Sequence, residues 1–220
     1  MKLTTDKKIF VPDDEDWYQW SESYEQDEFD EVIEHISKRN TALDIGAHVG
    51  IWTRRLAEKF EHVYCFEPVP KHVECWHANV TKDFDNVDIA EVALGHENGT
   101  ATMKVPNTTN TGMASLVHEI FNQRTGARWV QPGWDNFPEI EVETRTLDSY
   151  EFDQLDFMKI DVEWFEYRVI EGAMSTIQKF KPIIYIECHD INVYPLLLSL
   201  GYKSILAHSV NRLFKTIQKM

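Results

Sequence analysis

A chain of 220 residues, 43% hydrophobic and 27% charged, has the proportions of a soluble globular protein and the length to bury its own core. A formal charge of −15 with no basic cluster argues against binding to nucleic-acid backbones. No apolar stretch reaches the length of a membrane span or a secretory leader, and three cysteines without zinc-site spacing are expected to be reduced thiols of a cytoplasmic protein.

Residues 1–24 are acidic and aromatic, with Trp17, Tyr18, Trp20 and Tyr24. They read as an irregular arm whose rings pack on the body or face a site. Glu25–Arg39 reads as a helix: Phe29, Val32, Ile33 and Ile36 recur on one face, acids crowd the first turn, and Lys38 and Arg39 fall in the last. Ala42–Ile45 is a short apolar strand. The chain then passes Gly46 and Gly50 and takes helical spacing from Ile51 to Phe60. A strand that breaks at small residues into a helix is expected to leave backbone N–H groups facing a charged metabolite. His62–Glu67 is a second strand, a helix from Pro70 carries Val73, Trp76, His77 and Val80 on one face, and Asn86–Leu94 is a third strand. Alternation of β and α with short connections is the pattern of a parallel, doubly wound α/β sheet.

The alternation then stops. Thr100–Val105 and Glu139–Arg145 read as half-buried strands flanking 106–138, an insertion rich in Asn, Thr, Gly and Trp. A loop this long is functional or disordered, and its aromatic and amide content points to a substrate-facing role. The rhythm returns with a strand at Leu155–Val162, one helix from Trp164 to Phe180, a strand at Pro182–Glu187 and a short helix at Asn192–Leu200. Tyr202–Leu206 and Arg212–Ile217 read as a closing hairpin. Nothing divides the chain, so 1–220 is expected to be one domain, with 1–40 as its arm and first helix.

Ligands of open α/β sheets lie outside the carboxyl ends of the strands. The first strand delivers Asp44, Gly46 and Gly50 there. The second delivers Glu67, at the offset where a carboxylate accepts hydrogen bonds from ribose hydroxyls. The third gives Glu91 and Val92, the fourth Asp161 and Glu163, the fifth Glu187 and His189. A dinucleotide turn has the form G-x-G-x-x-G, whereas this one is G-x-x-x-G with an acid before it, which counts against a nicotinamide-dependent dehydrogenase. Acids repel pyrophosphate and suit a cation that carries a ribose, as S-adenosyl-L-methionine does. No ligand spacing is local enough to mark a metal centre, although the acidic rim with His189 is a conceivable one. His62, His72, His77, His96, His118 and His208 read as surface or packing residues.

Several of these stretches fall in one family's order: Leu43-Asp44-Ile45-Gly46-Ala47 with Gly50 and Thr53, Phe66-Glu67-Pro68, and Ala93-Leu94-Gly95. They continue with Gly112 and Ser115, Thr146-Leu147-Asp148, Lys159-Ile160-Asp161-Val162-Glu163 with Glu166, and Glu187 with His189. Over roughly residues 41–190 the chain resembles the FkbM-type class I S-adenosylmethionine-dependent methyltransferases. The resemblance implies a Rossmann-like sheet of seven strands, mostly parallel with an antiparallel last strand, and helices on both faces. It implies S-adenosyl-L-methionine as cofactor, with Asp44, Gly46, Ala47, His48, Gly50, Thr53, Glu67, Pro68, Glu91, Val92 and Asp161 around it. It also implies a hydroxyl of a glycan or other small molecule as acceptor. His48 stands where the family usually has Asn, and Trp164 where it has Gly. Gly112, Ser115, Trp164 and Glu187 are expected on the acceptor side.

Methyl transfer from a sulfonium needs alignment and desolvation, and a hydroxyl acceptor also needs a base. Asp161 is expected beside the methyl group, with His189 or Glu163 taking the proton. His189 is preferred because imidazole titrates near neutrality. A carboxyl or amine acceptor, and a binding module that keeps the fold without turnover, are the competing expectations. Oligomeric state is not readable from the chain.

Overall fold

The structure, a computed structural model, describes residues 1–15, 21–107, 110–116, 120–121, 128–129 and 134–217. The apolar runs become the strands of one twisted sheet: β1 (Thr41–Ile45), β2 (His62–Phe66), β3 (Val87–Ala90), β4 (Phe157–Ile160), β5 (Ile183–Glu187), β6 (Tyr202–His208) and β7 (Asn211–Thr216). Their order is β6-β7-β5-β4-β1-β2-β3. The first five strands pair in parallel, and β7 runs antiparallel to both β5 and β6. From β1 the chain moves outward to β2 and β3, then returns to β4 on the other side of β1. That reversal opens a crevice at the carboxyl ends of β1 and β4.

Every residue of β1 is buried, as a central parallel strand covered on both faces requires. Leu43 and Ile45 pack with Phe66, Met158 and Ile160 in the core beneath α4 (Glu166–Glu171), α5 (Met174–Phe180) and α6 (Val193–Ser199). Ala42 faces the opposite core, with Trp52, Leu56, Trp76 and Phe157, under α1 (Gln26–Glu34), α2 (Ile51–Ala57) and α3 (Pro70–Val80). Helices thus cover both faces.

Several local expectations are corrected. α1 stops at Glu34, so no basic residue lies in its last turn. Arg39 reaches back instead, donating to the carbonyls of Ile33 and Ile36, which satisfies groups that a longer helix would have paired. His77 is exposed on α3, and His72 and Cys75 are buried there. The stretch 86–94 is not one strand. β3 ends at Ala90, and Ala93–Leu94 forms an edge of a second sheet, pairing in parallel with Glu139–Arg145, which pairs antiparallel with Gly99–Lys104 on its other side. The single helix expected over 164–180 is broken into α4 and α5, because the 147–149 turn takes over the hydrogen bonds at the break. Asp148 N–H donates to Gly172 O, and its carboxylate accepts from the N–H groups of Ser175 and Thr176.

The N-terminal arm is not wholly irregular. Lys2–Leu3 pairs with Phe10–Val11, and Asn79 of α3 binds both the N–H and the carbonyl of Phe10. Trp17, Tyr18, Trp20 and His118 lie outside the described residues. Within 106–138 the structure describes a 3-10 turn at Thr111–Met113, a bridge between Lys104 and Ser115, and a short pairing of Ile120–Phe121 with Arg128–Trp129. Among the described residues no helix is long and apolar enough to cross a membrane.

Candidate active site

A cleft enclosing about 1110 Å³ of space, open to solvent, lies over the carboxyl ends of β1, β2, β4 and β5. Ile45, Phe66, Val92, Leu94, Met103, Ala114 and Leu116 supply apolar wall, and Glu25, Glu67, Asp161, Glu163, Glu187 and Lys159 supply charge.

The floor is the turn after β1. Gly46 has φ +79°, and a Cβ there would lie 1.8 Å from the carbonyl oxygen of Asp161, so the turn is pressed onto the end of β4 in a way only glycine permits. Four of the N–H groups expected to face a ligand are used within the protein. Gly46 and Ala47 N–H both donate to Phe66 O, Gly50 N–H donates to Ala47 O, and His48 N–H donates to Glu67 Oε2 at 2.9 Å. The turn shapes the cleft, and the amides of Gly46, Ala47, His48 and Gly50 are already committed.

Glu67 is 5% exposed and lines the cleft. Its Oε1 accepts from Val69 N–H at 3.0 Å and meets His72 Nδ1 at 3.1 Å. With His48 N–H, three partners converge on a carboxylate that has about four lone-pair sites, leaving one direction for a ligand hydroxyl. His72, expected only to pack, is therefore the residue that holds Glu67 from α3. It lies against His48, whose ring is 4.3 Å away edge-on and whose basicity burial drives well down.

Four expected cofactor residues do not line the cleft. Asp44 is fully buried, accepting from Thr53 Oγ1 at 2.6 Å. Thr53 in turn accepts from Trp76 Nε1 at 3.0 Å. Gly50 starts α2 and packs against Val80 and Trp76. Glu91 is exposed and turned away, while its neighbour Val92 faces the cleft. Burial raises the Asp44 carboxyl, and the Lys159 ammonium 3.7 Å away opposes that.

Lys159 was unassigned by the strand-end reading because a strand residue facing a buried layer carries no spacing signal. It is 6% exposed, lies 3.2 Å from Asp161 and donates to Gly46 O at 3.0 Å. Burial lowers the basicity of its ammonium, but Asp161, Asp44 and Glu25 outweigh burial and raise it above the usual lysine range. Tyr24 and Glu25, at the start of α1, close another side of the cleft, with Trp52 Nε1 donating to Glu25 at 2.7 Å.

Of the residues expected near an acceptor, Gly112 lines the cleft, next to Thr111, whose N–H and hydroxyl both donate to Glu15. Ser115 does not reach the cleft: it is 3% exposed and its hydroxyl donates to the backbone carbonyl of Glu163. Trp164 does not line the cleft either. Its ring stacks on His189 with centroids 4.5 Å apart and planes 13° apart. His189 Nε2 lies 2.9 Å from Glu187 Oε1, and Glu187, not His189, lines the cleft. Glu163 and Trp164 both have left-handed backbone, φ +50° and +76°. Glu166, 0% exposed, fixes that turn by accepting from the N–H groups of Val162 and Trp164. Burial, then repulsion from Asp161, raises the carboxyls of both Glu163 and Glu187. Pro68, beside Glu67, lines the cleft as expected.

The family model described as "Methyltransferase FkbM domain" matches residues 44–203. No curated protein sequence matches the chain. Among solved structures the chain is similar to the methyltransferase FkbM from Methylobacillus flagellatus KT, with TM-score 0.51 and 18% identity over 80% of this chain and 43% of that one. It is similar to a precorrin 8w decarboxylase from Methanobacterium thermoautotrophicum, with TM-score 0.50 and 11% identity over 95% of this chain and 100% of that one. A putative tRNA (m1A22) methyltransferase from Streptococcus pneumoniae, in complex with S-adenosyl-L-methionine, matches with TM-score 0.50 and 12% identity over 88% of this chain and 74% of that one. At these identities the structural likeness speaks for the fold. The chain spans less than half the length of the Methylobacillus structure.

Proposed function

Because the chain belongs to the methyltransferase FkbM family, we propose that it moves the methyl group of S-adenosyl-L-methionine to a hydroxyl of a neutral small molecule or glycan. The observation that carries this is the charge of the cleft. Five carboxylates line it, and the only ammonium in the lining among the described residues, Lys159, is already paired with Asp44 and Asp161. Such a site favours a ligand with a sulfonium, an amine and a ribose, and disfavours one with phosphates. Pairing of S-adenosyl-L-methionine with one structural neighbour of the same fold supports that choice.

The lining residues fit the cofactor's parts. Glu67 keeps one acceptor direction for a ribose hydroxyl, Phe66, Val92 and Leu94 offer apolar surface for a base, and Glu25 and Asp161 offer charge for an ammonium group. When bound, the cofactor supplies an activated methyl group. The chain then has to align the acceptor and exclude water, the contribution that converts a bimolecular displacement into a positioned one. Asp161, Glu163 and Glu187 face the cleft from the ends of β4 and β5 and are the groups that would hold an acceptor hydroxyl.

Calorimetry with S-adenosylhomocysteine tests the cofactor. Stoichiometric binding is expected, and its absence ends the methyltransferase reading. Radiolabelled methyl transfer to matched neutral, phosphorylated, carboxylate and amine acceptors tests the rest: label on a carboxyl or amine with none on hydroxyls would replace the hydroxyl assignment.

A further inference from the structure

Three side chains of ligand type converge where β4 and β5 end. Glu163, Glu187 and His189 each place one donor atom so that all three atoms lie within 4.8 Å of one another. The geometry points to a binding site for one divalent first-row cation, of the Mn2+ or Zn2+ kind, held by Glu163, Glu187 and His189 at the edge of the cleft.

The need for a cation comes from groups that the protein leaves without partners. Among the described residues nothing donates a hydrogen bond to the carboxylate of Glu163, which is half-buried and lines the cleft. Glu187 Oε2 is sealed from solvent and accepts no hydrogen bond; only its Oε1 meets His189. A sealed carboxylate oxygen such as Glu187 Oε2 is normally paired or bound to a cation, because leaving it without a partner is costly. Lys159 cannot answer this charge, since it is held by Asp161, Asp44 and the carbonyl of Gly46.

The surroundings hold the three residues in place. Trp164 stacks on the imidazole of His189 and limits its rotation. The Ser115 hydroxyl donates to the Glu163 carbonyl, and Glu166 accepts from the N–H groups on either side of Glu163. Supports of this kind orient metal ligands and commonly raise affinity about 10–100-fold. Two carboxylates suit hard cations and an imidazole suits Zn2+ or Fe2+, so a mixed set favours the first-row ions over Ca2+ or Mg2+. Three protein ligands also leave coordination positions for water or for oxygens of an acceptor. That these positions serve an acceptor rests on the methyltransferase reading; the cation site does not.

The test uses the full chain after chelator treatment, titrated with Mn2+ and followed by electron paramagnetic resonance of the free ion. S-adenosylhomocysteine binding is measured separately by calorimetry. The expected result is one Mn2+ per chain, displaced by Zn2+ and weakened at least about tenfold by E163Q and by H189A. Thermal unfolding confirms that each variant is folded, and H189N replaces H189A if that variant is not. Absence of stoichiometric Mn2+ binding, or affinity undiminished in both variants, overturns the site. If Mn2+ binds and S-adenosylhomocysteine does not, the cation site stands and the methyltransferase reading falls. Binding of S-adenosylhomocysteine without Mn2+ removes the cation site alone.

Discussion

Asp44 and Lys159 stand opposite each other on adjacent parallel strands, with the Lys159 ammonium 3.7 Å from the Asp44 carboxylate and both side chains closed off from water. This pair, with Asp161 beyond it, joins the core to the floor of the cleft. Removing one partner leaves the other as an uncompensated buried charge, which costs about 3–5 kcal/mol. K159M is therefore expected to lower stability to urea by that amount. D44N added to K159M is expected to restore part of it, because the orphaned charge is then gone.

Glu67 gathers His48 N–H, Val69 N–H and His72 Nδ1 on one carboxylate. A glutamine has one oxygen for this purpose and turns an amide N–H2 toward a donor. E67Q is expected to cost about 1–3 kcal/mol of stability, the penalty of unsatisfied buried donors. It should also weaken S-adenosylhomocysteine binding about tenfold, or about 1.4 kcal/mol. Thermal unfolding and calorimetry read the two effects separately.

Gly46 and Gly201 share left-handed backbone but not surroundings. A Cβ on Gly46 would sit 1.8 Å from Asp161 O, whereas one on Gly201 would meet nothing within 4 Å. G201A is expected to cost about 1 kcal/mol, the conformational term alone. G46A adds a clash with backbone and is expected to cost about 3 kcal/mol or more. Equal losses in urea titrations of the two variants would show that β4 does not press on the turn.

Asp148 ties the break between α4 and α5. Burial pushes its carboxyl up, but the N–H groups of Ser175 and Thr176 outweigh burial and lower it below the usual range. A carboxyl lowered on folding contributes stability above its unfolded value, roughly pH 4. That contribution is lost as pH falls through the folded value. D148A is expected to cost about 1 kcal/mol near neutrality, as for a helix N-cap, with the difference shrinking toward pH 2–3. Thermal melts of both proteins across pH 2–7 check this; a gap that persists at low pH would contradict it.

Much of the frame was legible because the core demands it. β1, β2, β4 and β5 are buried on both faces, so their sequences are short apolar runs, and each run was placed within two residues or so of its observed ends. The corrections cluster where a group outside the element replaces one of its regular hydrogen bonds. Arg39 ends α1 early, Asp148 splits the helix after β4, and Phe66 O takes the amides of the Gly46 turn. Hydrophobic periodicity does not announce such replacements, and those at Asp148 and Phe66 depend on groups delivered by another element.

The chain order of acids at strand ends was a property of the sequence alone, and it determined the fold family and the negative character of the cleft. What each acid does was decided by tertiary structure. Asp44 belongs to the core because β1 lies between β2 and β4, and Glu67 belongs to His48 and His72 because α3 folds back over it. Glu163, Glu187 and His189 meet only because β4 and β5 are adjacent. Hydrophobic periodicity records which residues leave water, and so it predicts elements. Hydrogen bonds and ion pairs act over about 3–4 Å between residues that may be a hundred positions apart, and only the assembled sheet brings those distances into being.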